Sequence, residues 1–359
     1  MYAFIADIHL FTKLDNKDHL LSLEKLFDII KKNDEECYGI FVCGDLFDHR
    51  GNKDDLMFAA EYITRLVMNG CGRGCKRNVP VYFIHGTYSH DNEQYEIFLP
   101  VLNQLDDVEI HYIKHVTEGT THAGHSVLYL PQEYGDVDYS SYLNNRKHYD
   151  LIVGHGPISS EYKSPCKSAG YEITHSVELL GEISSLCVFG HYHNYTDFEN
   201  GVYYIGANLR WQFGEEEPCV FFTCDDEFNV HTELNPYQIQ YVTYDINSPE
   251  ELRNHLSTES NDVRRFIIHV HTNEEMETYR GIISNNKKNK SVAFRIVSSS
   301  EMIDNDEENI TPDIDLSNNK MSIDPVNSLI TYITDKYHTD ASTKVNEYAS
   351  MINKDIESE

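Results

Sequence analysis

Apolar and polar residues alternate with two different periods along the first two thirds of the chain. Short runs of β-branched and aromatic residues at 2–6, 38–43 and 81–85 predict strands. Between them, apolar residues recur every three or four positions, which predicts one helix through Leu20, Leu23, Phe27 and Ile30 and others at 54–67 and near 93–104. Further strand-like runs occupy 108–113, 126–130, 150–153, 186–189, 202–205 and 219–223. This alternation predicts an α/β domain over residues 1–240, with an antiparallel or mixed second sheet where the runs lie closer together.

The pattern changes after about residue 240. Strand-like runs at RRFIIHVH and SVAFRIV, around a helix near 274–285, predict a small α/β subdomain over 241–300. Residues 301–323 are acidic and poor in large apolar side chains, which predicts a flexible linker. Asp324 and Pro325 are suited to the N-cap and first position of a helix, so two short helices are predicted over 324–359.

Each of the predicted C-terminal helices has one apolar stripe. The stripes comprise Val326, Leu329, Ile330 and Ile333 in the first helix, and Val345, Tyr348, Ala349 and Ile352 in the second. Two such short helices cannot bury these stripes well against each other, so they require another surface. That surface is either a groove on a partner protein or the parent domain itself.

Charge narrows the functions that the chain can have. Its 359 residues, 40% of them apolar, can bury a large core. Lys and Arg number 29 against 59 for Asp and Glu, a formal charge of −30 that provides no long-range attraction for a phosphate polymer. Any contact with nucleic acid must therefore be local, mediated by metal or contributed by a partner.

The cysteines and the N-terminus indicate the compartment. Eight scattered cysteines, several within apolar runs, are typical of reduced core thiols, although Cys71 and Cys75 could also form half of a zinc site. No apolar run approaches the length of a membrane span, and the first predicted strand leaves no room for a signal peptide. The expectation is a soluble cytoplasmic protein without a membrane partner.

Polar residues follow five of the predicted strands, and most of these residues are metal-ligand types. They are Asp7 and His9, Asp45 and Asp48, Ser89 with His90 and Asp91, His155, and His191 with His193. Groups beyond the carboxyl ends of strands in an open α/β sheet share one crevice, and residues two apart on extended chain face the same way. Imidazole and carboxylate together suit manganese, iron or zinc, and two such ions about 3.5–4 Å apart can clamp a phosphate ester. Each motif alone could be a turn or an ordinary polar pair. All five, however, follow a predicted strand, which is the structural context that a shared site requires.

These motifs resemble the ordered motifs of calcineurin-like metallophosphoesterases. They read Asp7-x-His9, Gly44-Asp45-x-x-Asp48, His90-Asp91, Gly154-His155 and Gly190-His191-x-His193. The segment YIGANLRWQFGEEE at 204–217 further resembles the SbcD-type branch, the nuclease subunits of double-strand-break repair complexes, which include phage recombination endonuclease subunits. The resemblance covers residues 1 to about 235 and implies a two-sheet αββα sandwich with a small α/β cap domain and C-terminal helices.

The resemblance also implies a role for each site residue. Asp7, His9, Asp45 and His193 would bind one Mn²⁺ ion, and Asp45 would bridge to a second ion held by His155 and His191. His90 would stabilise charge or protonate the departing sugar oxygen, and Asp91 would orient His90. Asp48 is expected to be a third catalytic residue beside them. Mg²⁺ is the expected substitute metal.

The third motif departs from the family pattern. Family members usually have Gly-Asn-His-Asp, whereas this chain has two more residues between Gly86 and His90. Counted back from His90, Ser89 occupies the Asn position. A neutral hydroxyl can ligate a hard cation, so the prediction is that Ser89 or water completes a weaker second site.

Three functions follow from these features. The first is a Mn²⁺-dependent DNA exonuclease and endonuclease subunit of an SbcCD-type recombination and repair complex. It would act as a homodimer within a heterotetramer, with a coiled-coil SMC-like ATPase docked on the C-terminal helices, in a prokaryotic or phage-infected cytoplasm. The second is a phosphoesterase for phosphoproteins or small nucleotides, and the third is a non-catalytic scaffold with a decayed third motif.

Two basic clusters are the candidate DNA contacts. They contain Arg264 and Arg265 in one strand-like run, and Lys287, Lys288 and Lys290 in NNKKNK. The alternative interpretation is a solvated helix end and turn.

Overall fold

The fold is taken from a computed structural model. It describes residues 1–12, 16–32, 36–69, 79–91, 94–102, 108–133, 139–143, 147–160, 166–167, 173–210, 212–215, 217–258, 262–286 and 291–298. The predicted linker at 301–323 and the predicted helices at 324–359 lie outside these residues, as do Lys287, Lys288, Lys290, Cys71 and Cys75.

Strands and helices alternate along the described residues, and the predicted mixed α/β class is confirmed. The strands are β1 Tyr2–Ile5, β2 Gly39–Cys43, β3 Val81–Ile84, β4 Ile110–Ile113, β5 Thr117–Thr120, β6 Ser126–Leu130, β7 Tyr149–His155, β8 Ile158–Ser159, β9 Cys166–Lys167, β10 Ile173–Ser176, β11 Ser184–Gly190, β12 Thr196–Asp197, β13 Val202–Tyr204, β14 Val220–Cys224, β15 Val230–Leu234, β16 Tyr241–Ile246, β17 Val263–Val270 and β18 Val292–Ser298. The helices are α1 Asn16–Lys32, α2 Lys53–Asn69, α3 Tyr88–Asp91, α4 Tyr95–Leu102, α5 Ser140–Leu143, α6 Val177–Ile183, α7 Pro249–Ser257 and α8 Asn273–Asn286.

The first sheet orders its strands β15-β14-β1-β2-β3-β4. Strands β1 to β4 run parallel, and β14 pairs antiparallel with β1. Every residue of β1, β2 and β3 is buried. Strands covered on both faces have no polar side, which explains why they appear in the sequence as unbroken apolar runs.

The second sheet orders its strands β12-β13-β11-β7-β6-β5. Strands β13, β11, β7 and β6 run parallel, whereas the two edge strands β12 and β5 pair antiparallel with their neighbours. The prediction of a mixed second sheet is therefore confirmed. A smaller sheet of order β8-β10-β9 follows β7 along the chain.

The two large sheets pack face to face with helices outside them. Between the sheets, Phe4 and Phe41 of the first belong to one apolar cluster with Tyr129 and Val153 of the second. Helices α1, α2 and α4 share a second cluster with the other face of the first sheet. Helices α5 and α6 share a third cluster with the other face of the second sheet. The order of layers is helix, sheet, sheet, helix, and it brings the carboxyl ends of β1, β2, β3, β7 and β11 towards one centre.

A second unit contains the described residues within Arg210–Glu216 and Ile239–Ser322. Its three strands, β16, β17 and β18, are parallel, with β17 central. Alternate residues of β17 are buried and pack with Leu252 of α7 and Tyr279 of α8. The sequence pattern predicted β17, α8 and β18; the structure adds β16 and α7.

Two further features bear on the sequence predictions. Cys43, Cys187 and Cys224 are buried thiols of the core. Among the described helices, none combines the length and apolarity that a bilayer span requires.

Candidate metal centre

The ends of β1 and β11 bring together three metal-ligand side chains. Donor atoms of Asp7, His9 and His193 all lie within 4.8 Å of one another. The Nε2 atoms of His9 and His193 are 3.1 Å apart, and Nε2 of His193 is 3.9 Å from Oδ1 of Asp7. Asp7 and His9 are almost completely buried, so these donors face inward.

The ends of β2 and β7 complete a second group that also contains Asp7. Donor atoms of Asp7, Asp45 and His155 lie within 4.8 Å of one another. Nε2 of His155 is 3.3 Å from Oδ2 of Asp45. The side chain that the two groups share is Asp7, whereas the resemblance implied that Asp45 is the bridge. The His191 ring lies beside this group, 5.4 Å from the His155 ring between centroids.

The backbone is strained at four of the candidate ligands. Asp7, His9, Asp45 and His191 have φ values of 47°, 47°, 48° and 116°. Non-glycine residues rarely adopt positive φ, and such a backbone costs of order 1–3 kcal/mol, which the surrounding fold must offset. Strain of this kind concentrates at functional sites, and here it aims side chains at one point immediately after their strands.

Glycines allow the strand ends to approach closely. Gly44 has a φ of +78°, and a Cβ at this position would lie 2.2 Å from Nδ1 of His155. A Cβ at Gly86 would lie 2.2 Å from the backbone N of Asp45. Any larger residue at either position would push Asp45 and His155 out of place.

Hydrogen bonds to the backbone orient the ligand side chains. The two carboxylate oxygens of Asp7 accept the backbone N–H of His191 at 3.1 and 3.0 Å. Nδ1 of His155 lies 2.8 Å from the carbonyl oxygen of Cys43, to which it donates. This bond leaves Nε2 of His155 facing Asp45, which is the usual arrangement of a metal-ligating histidine.

Burial and charge set the protonation of these groups. Burial lowers the pKa of His9 well below its usual range and lowers that of His191 to about 4, so both rings are neutral and keep a lone pair near pH 7. Burial also acts to lower the pKa of His155, but the neighbouring Asp45 outweighs it and raises the pKa to about 10. His155 in turn holds the pKa of Asp45 below its usual range, against the effect of burial. A cation at this pair therefore competes with a proton.

His90 lies at the edge of the first group. Its ring meets that of His9 edge to face at 4.9 Å, and donor atoms of His9, Asp48 and His90 lie within 4.8 Å of one another. Nδ1 of His90 is 2.5 Å from the backbone oxygen of Asp48, to which it donates. The Asp48 carboxylate contacts Nδ1 of His49 at 2.9 Å.

Asp91 has a different role from the one that the resemblance implied. It is completely buried, and its carboxylate accepts the backbone N–H groups of Asp45, Phe47 and Gly86 at 3.0, 3.3 and 2.8 Å. Asp91 therefore ties the turn after β2 to the turn after β3. The backbone carbonyl of Asp48, rather than Asp91, is the group that fixes His90. Burial, followed by the charge of Asp45, raises the pKa of Asp91 to about 8.

Ser89 is not placed with the other predicted ligands. It is exposed on the one-turn helix α3. The side chain that reaches Asp45 and His155 is Thr87, directly after Gly86, with its hydroxyl 3.0 Å from Oδ2 of Asp45 and 3.5 Å from Nε2 of His155. The two additional residues of the third motif lie in the turn of α3. The residue beside the second ligand group is therefore the one that directly follows Gly86, not the one that directly precedes His90.

Three more residues, to which the sequence analysis assigned no individual role, support the centre. Gln132, after β6, lies 3.1 Å from the Thr87 hydroxyl. The Tyr204 hydroxyl accepts from the backbone N–H of Ile158 at 2.6 Å and donates to the carbonyl of Gly156, which fixes the loop after His155. Asn208 donates its backbone N–H to the carbonyl of Ala6, next to Asp7. Gln132 follows β6, which the sequence predicted at 126–130. A polar residue after this sixth strand was therefore the feature of the sequence that could have indicated its role.

The two candidate arginines of β17 point to opposite faces. Arg264 is 6% exposed, and its guanidinium donates to the carbonyls of His255 and Thr258 at the end of α7. Arg264 therefore contacts a helix end, as in the alternative to DNA binding given by the sequence, although it is buried and not solvated. It lies inside the fold rather than on a surface that could face DNA. Arg265 is half-buried, with its guanidinium 4.5 Å from the centre of the Phe213 ring.

The donor set fits divalent metal ions. Neutral imidazoles and buried carboxylates converge from strand ends of both sheets, and this mixture suits borderline divalent metals such as manganese, iron or zinc. The buried carboxyl groups of Asp7 and Asp45 also supply oxygen donors to which a cation could bind.

Comparisons with known proteins agree with this chemistry. The family model for calcineurin-like phosphoesterases (Metallophos) matches residues 2–195. None of the curated proteins matches the sequence. One solved crystal structure is similar over 65% of this chain and 98% of its own, at 12% identity and a TM-score of 0.39, a likeness too small to add support. Because the matched residues are more than half of the chain and contain the convergent ligands, the chain belongs to the calcineurin-like phosphoesterase family, whose members hydrolyse phosphoesters with bound divalent metal ions.

Proposed function

We propose that this phosphoesterase is a DNA nuclease, with exonuclease and endonuclease activity, of the SbcD type. Its metals would be two Mn²⁺ ions, with Mg²⁺ as a substitute. The proposal combines the metal centre, which the family explains, with features beside it that suit a nucleic-acid substrate.

The observation that carries the choice of substrate is a pair of exposed tyrosines beside the centre. Tyr192, between His191 and His193, is 59% exposed, and Tyr88, next to Thr87, is 55% exposed. Both rings are open to contact by a ligand that reaches the centre. Each ring can stack on an unpaired base, and stacking contributes about 1–3 kcal/mol per base.

The chain's own residues divide the work of phosphodiester hydrolysis. Two divalent ions, held by the group of Asp7, His9 and His193 and by that of Asp7, Asp45 and His155, would neutralise phosphate charge and lower the pKa of the attacking water. Because Nδ1 of His90 donates to the carbonyl of Asp48, its Nε2 is the atom that can give a proton to the departing sugar oxygen.

The acidic surface requires that DNA contacts be local. Arg265 remains a candidate for a phosphate contact, and Lys287, Lys288 and Lys290 remain predictions from the sequence. The second unit would then act as the cap, and the segment 324–359 would dock on a coiled-coil SMC-like ATPase, within a heterotetramer that contains two copies of this chain.

The test compares wild type with His90→Ala on linear duplex DNA in Mn²⁺. We expect the variant to lose about 10²–10⁴-fold in rate, the range for removal of a proton-transfer group. Calorimetric titration should show unchanged Mn²⁺ binding. His115→Ala is the matched control, because His115 has a side chain that is 77% exposed.

The same assay separates the alternatives. Wild type that hydrolyses a phosphomonoester faster than DNA would contradict the nuclease and favour a phosphoprotein or nucleotide substrate. An absence of hydrolysis with every substrate, at full metal occupancy, would favour a scaffold.

A further inference from the structure

Thr87 holds the Asp45 carboxylate at both oxygens. Its backbone N–H donates to Oδ1 at 2.5 Å, and its hydroxyl lies 3.0 Å from Oδ2. The carboxylate is thereby fixed relative to the turn after β3. Thr87 is thus built into the centre, although the sequence analysis of the third motif assigned it no role.

Three electron-rich atoms converge on the Thr87 hydroxyl. They are Oδ2 of Asp45 at 3.0 Å, Oε1 of Gln132 at 3.1 Å and Nε2 of His155 at 3.5 Å. Because Nδ1 donates to the carbonyl of Cys43, Nε2 is the ring atom that faces this point, where a metal ion would take the place of its proton. The hydroxyl has one hydrogen and can donate to only one of the two oxygens at a time. A divalent cation is the species that such convergent oxygen and nitrogen lone pairs accommodate.

Gln132 reaches this point from the other large sheet. It follows β6, is 5% exposed, and donates its backbone N–H to the carbonyl of His85 at 3.1 Å. That bond ties the loop after β6 to the turn that carries Thr87. A buried amide held in this way is positioned by both sheets, unlike a polar side chain on a surface loop.

We propose that Thr87 and Gln132 supply the neutral oxygen ligands of the second metal position, beside Asp45 and His155. The pair would take the place of the single asparagine amide that is usual in the family and absent from this chain. The inference rests on metal binding alone, so its outcome is independent of whether the substrate is DNA.

The test is a calorimetric titration of the metal-free full chain with Mn²⁺. Wild type should bind two ions. Thr87→Val and Gln132→Met, which remove only the polar atoms, should each weaken the same one of the two sites by about 10–100-fold, the range for loss of a supporting ligand group, and leave the other unchanged. Thr232→Val is the matched control, because Thr232 is exposed on the edge strand β15.

Two conservative variants distinguish a ligand from a packing role. Thr87→Ser keeps the hydroxyl and should bind as wild type does. Gln132→Glu keeps an oxygen and adds charge, so it should bind the second ion at least as tightly; weaker binding would show that Gln132 only packs there. Ser89→Ala tests the sequence prediction and should be normal.

The proposal requires both polar-to-apolar variants to affect one common site. Normal binding in either variant, or loss of a site in Ser89→Ala, overturns it. Circular dichroism without metal checks folding, and if Thr87→Val fails to fold, the opposite expectations for Gln132→Met and Gln132→Glu decide the outcome.

Discussion

The candidate ligands of this protein depend on backbone conformations that most residues avoid. Asp7, His9 and Asp45 each take up a left-handed conformation within four residues of the end of a buried parallel strand. The strands hold the chain rigidly up to these residues. Sheet hydrogen bonds and core packing therefore offset the backbone strain at the positive φ angles. The result is a set of side chains whose positions do not depend on a long loop.

A buried histidine away from the centre gives a test of pH dependence. His175 is 2% exposed, its ring packs against Tyr139 and Phe189, and burial lowers its pKa to about 4. The unfolded chain binds this proton near pH 6.5, whereas the folded chain does not until about pH 4. Stability from His175 is therefore complete above pH 6.5 and is lost as the pH falls towards 4.

We expect His175→Leu to reduce the acid sensitivity of folding. Between pH 7.5 and 5.0, the free energy of unfolding of wild type should fall by about 2 kcal/mol more than that of the variant, at about 1.4 kcal/mol per pKa unit. Urea unfolding followed by circular dichroism in EDTA measures this difference. His115→Leu, at an exposed position, should behave as wild type, and equal pH sensitivity in His175→Leu would contradict the prediction.

At the scale of residues, the structure brings most of the predicted ligands together and places one, Ser89, apart from them. Asp7, His9, Asp45, His155 and His193 were found because each follows an apolar strand. Ser89 was chosen by counting back from His90, which is ambiguous when two residues are inserted. The structure places those residues in α3, where the Thr87 carbonyl accepts the N–H groups of His90 and Asp91 at 2.9 Å each. Hydrogen bonding of that turn, which the sequence does not reveal, decides that Thr87 faces Asp45.

At the scale of elements, the buried parallel strands were predictable, whereas the exposed antiparallel strands β5 and β15 were not. β1, β2 and β3 are apolar throughout because they are covered on both faces. β5 has the sequence TEGT and is largely exposed, and four of the five residues of β15 are exposed. Such strands form because a neighbouring strand offers hydrogen bonds, so their own sequence carries little signal.

Neighbouring arginines of β17 give a test at this scale. We expect Arg264→Met to weaken α7, because its guanidinium satisfies carbonyls at the end of that helix. The free energy of opening of α7, from hydrogen exchange, should fall by about 1–3 kcal/mol.

Arg265→Met is the matched control on the same strand. Its guanidinium lies over Phe213 outside the strand core, so α7 should keep its protection, whereas binding to duplex DNA should weaken if Arg265 contacts phosphate. Equal loss of protection in both variants would contradict the distinct roles of the two arginines.

At the scale of the whole molecule, the negative net charge opposes the binding of a polyanionic substrate. With 29 basic against 59 acidic residues, the chain repels a polyanion beyond the reach of its metal centre. The segment 301–359 accounts for 14 of these acidic residues and 4 of the basic ones. A DNA substrate would therefore be delivered by metal ions and by a partner, which agrees with the proposed ATPase.

Deletion of 325–359 tests that partnership. We expect the truncated chain to lose co-purification with a co-expressed coiled-coil SMC-like ATPase, because the apolar stripes of the predicted helices are removed. Hydrolysis of a small phosphodiester in Mn²⁺ should be unchanged, since the candidate ligands lie within residues 7–193. Continued co-purification would contradict the docking proposal, and loss of hydrolysis would show that the segment supports the enzyme itself.

The sequence by itself determined the α/β class, the order of the buried strands and the ligand types that follow them, because burial and strand ends leave local patterns. Only the tertiary structure decided that Asp7 belongs to both ligand groups, that Asp91 ties two turns together, that Arg264 is buried, and that Thr87 and Gln132 face Asp45. These outcomes depend on distances between residues far apart in the chain, which are set by how two sheets pack and not by any local pattern.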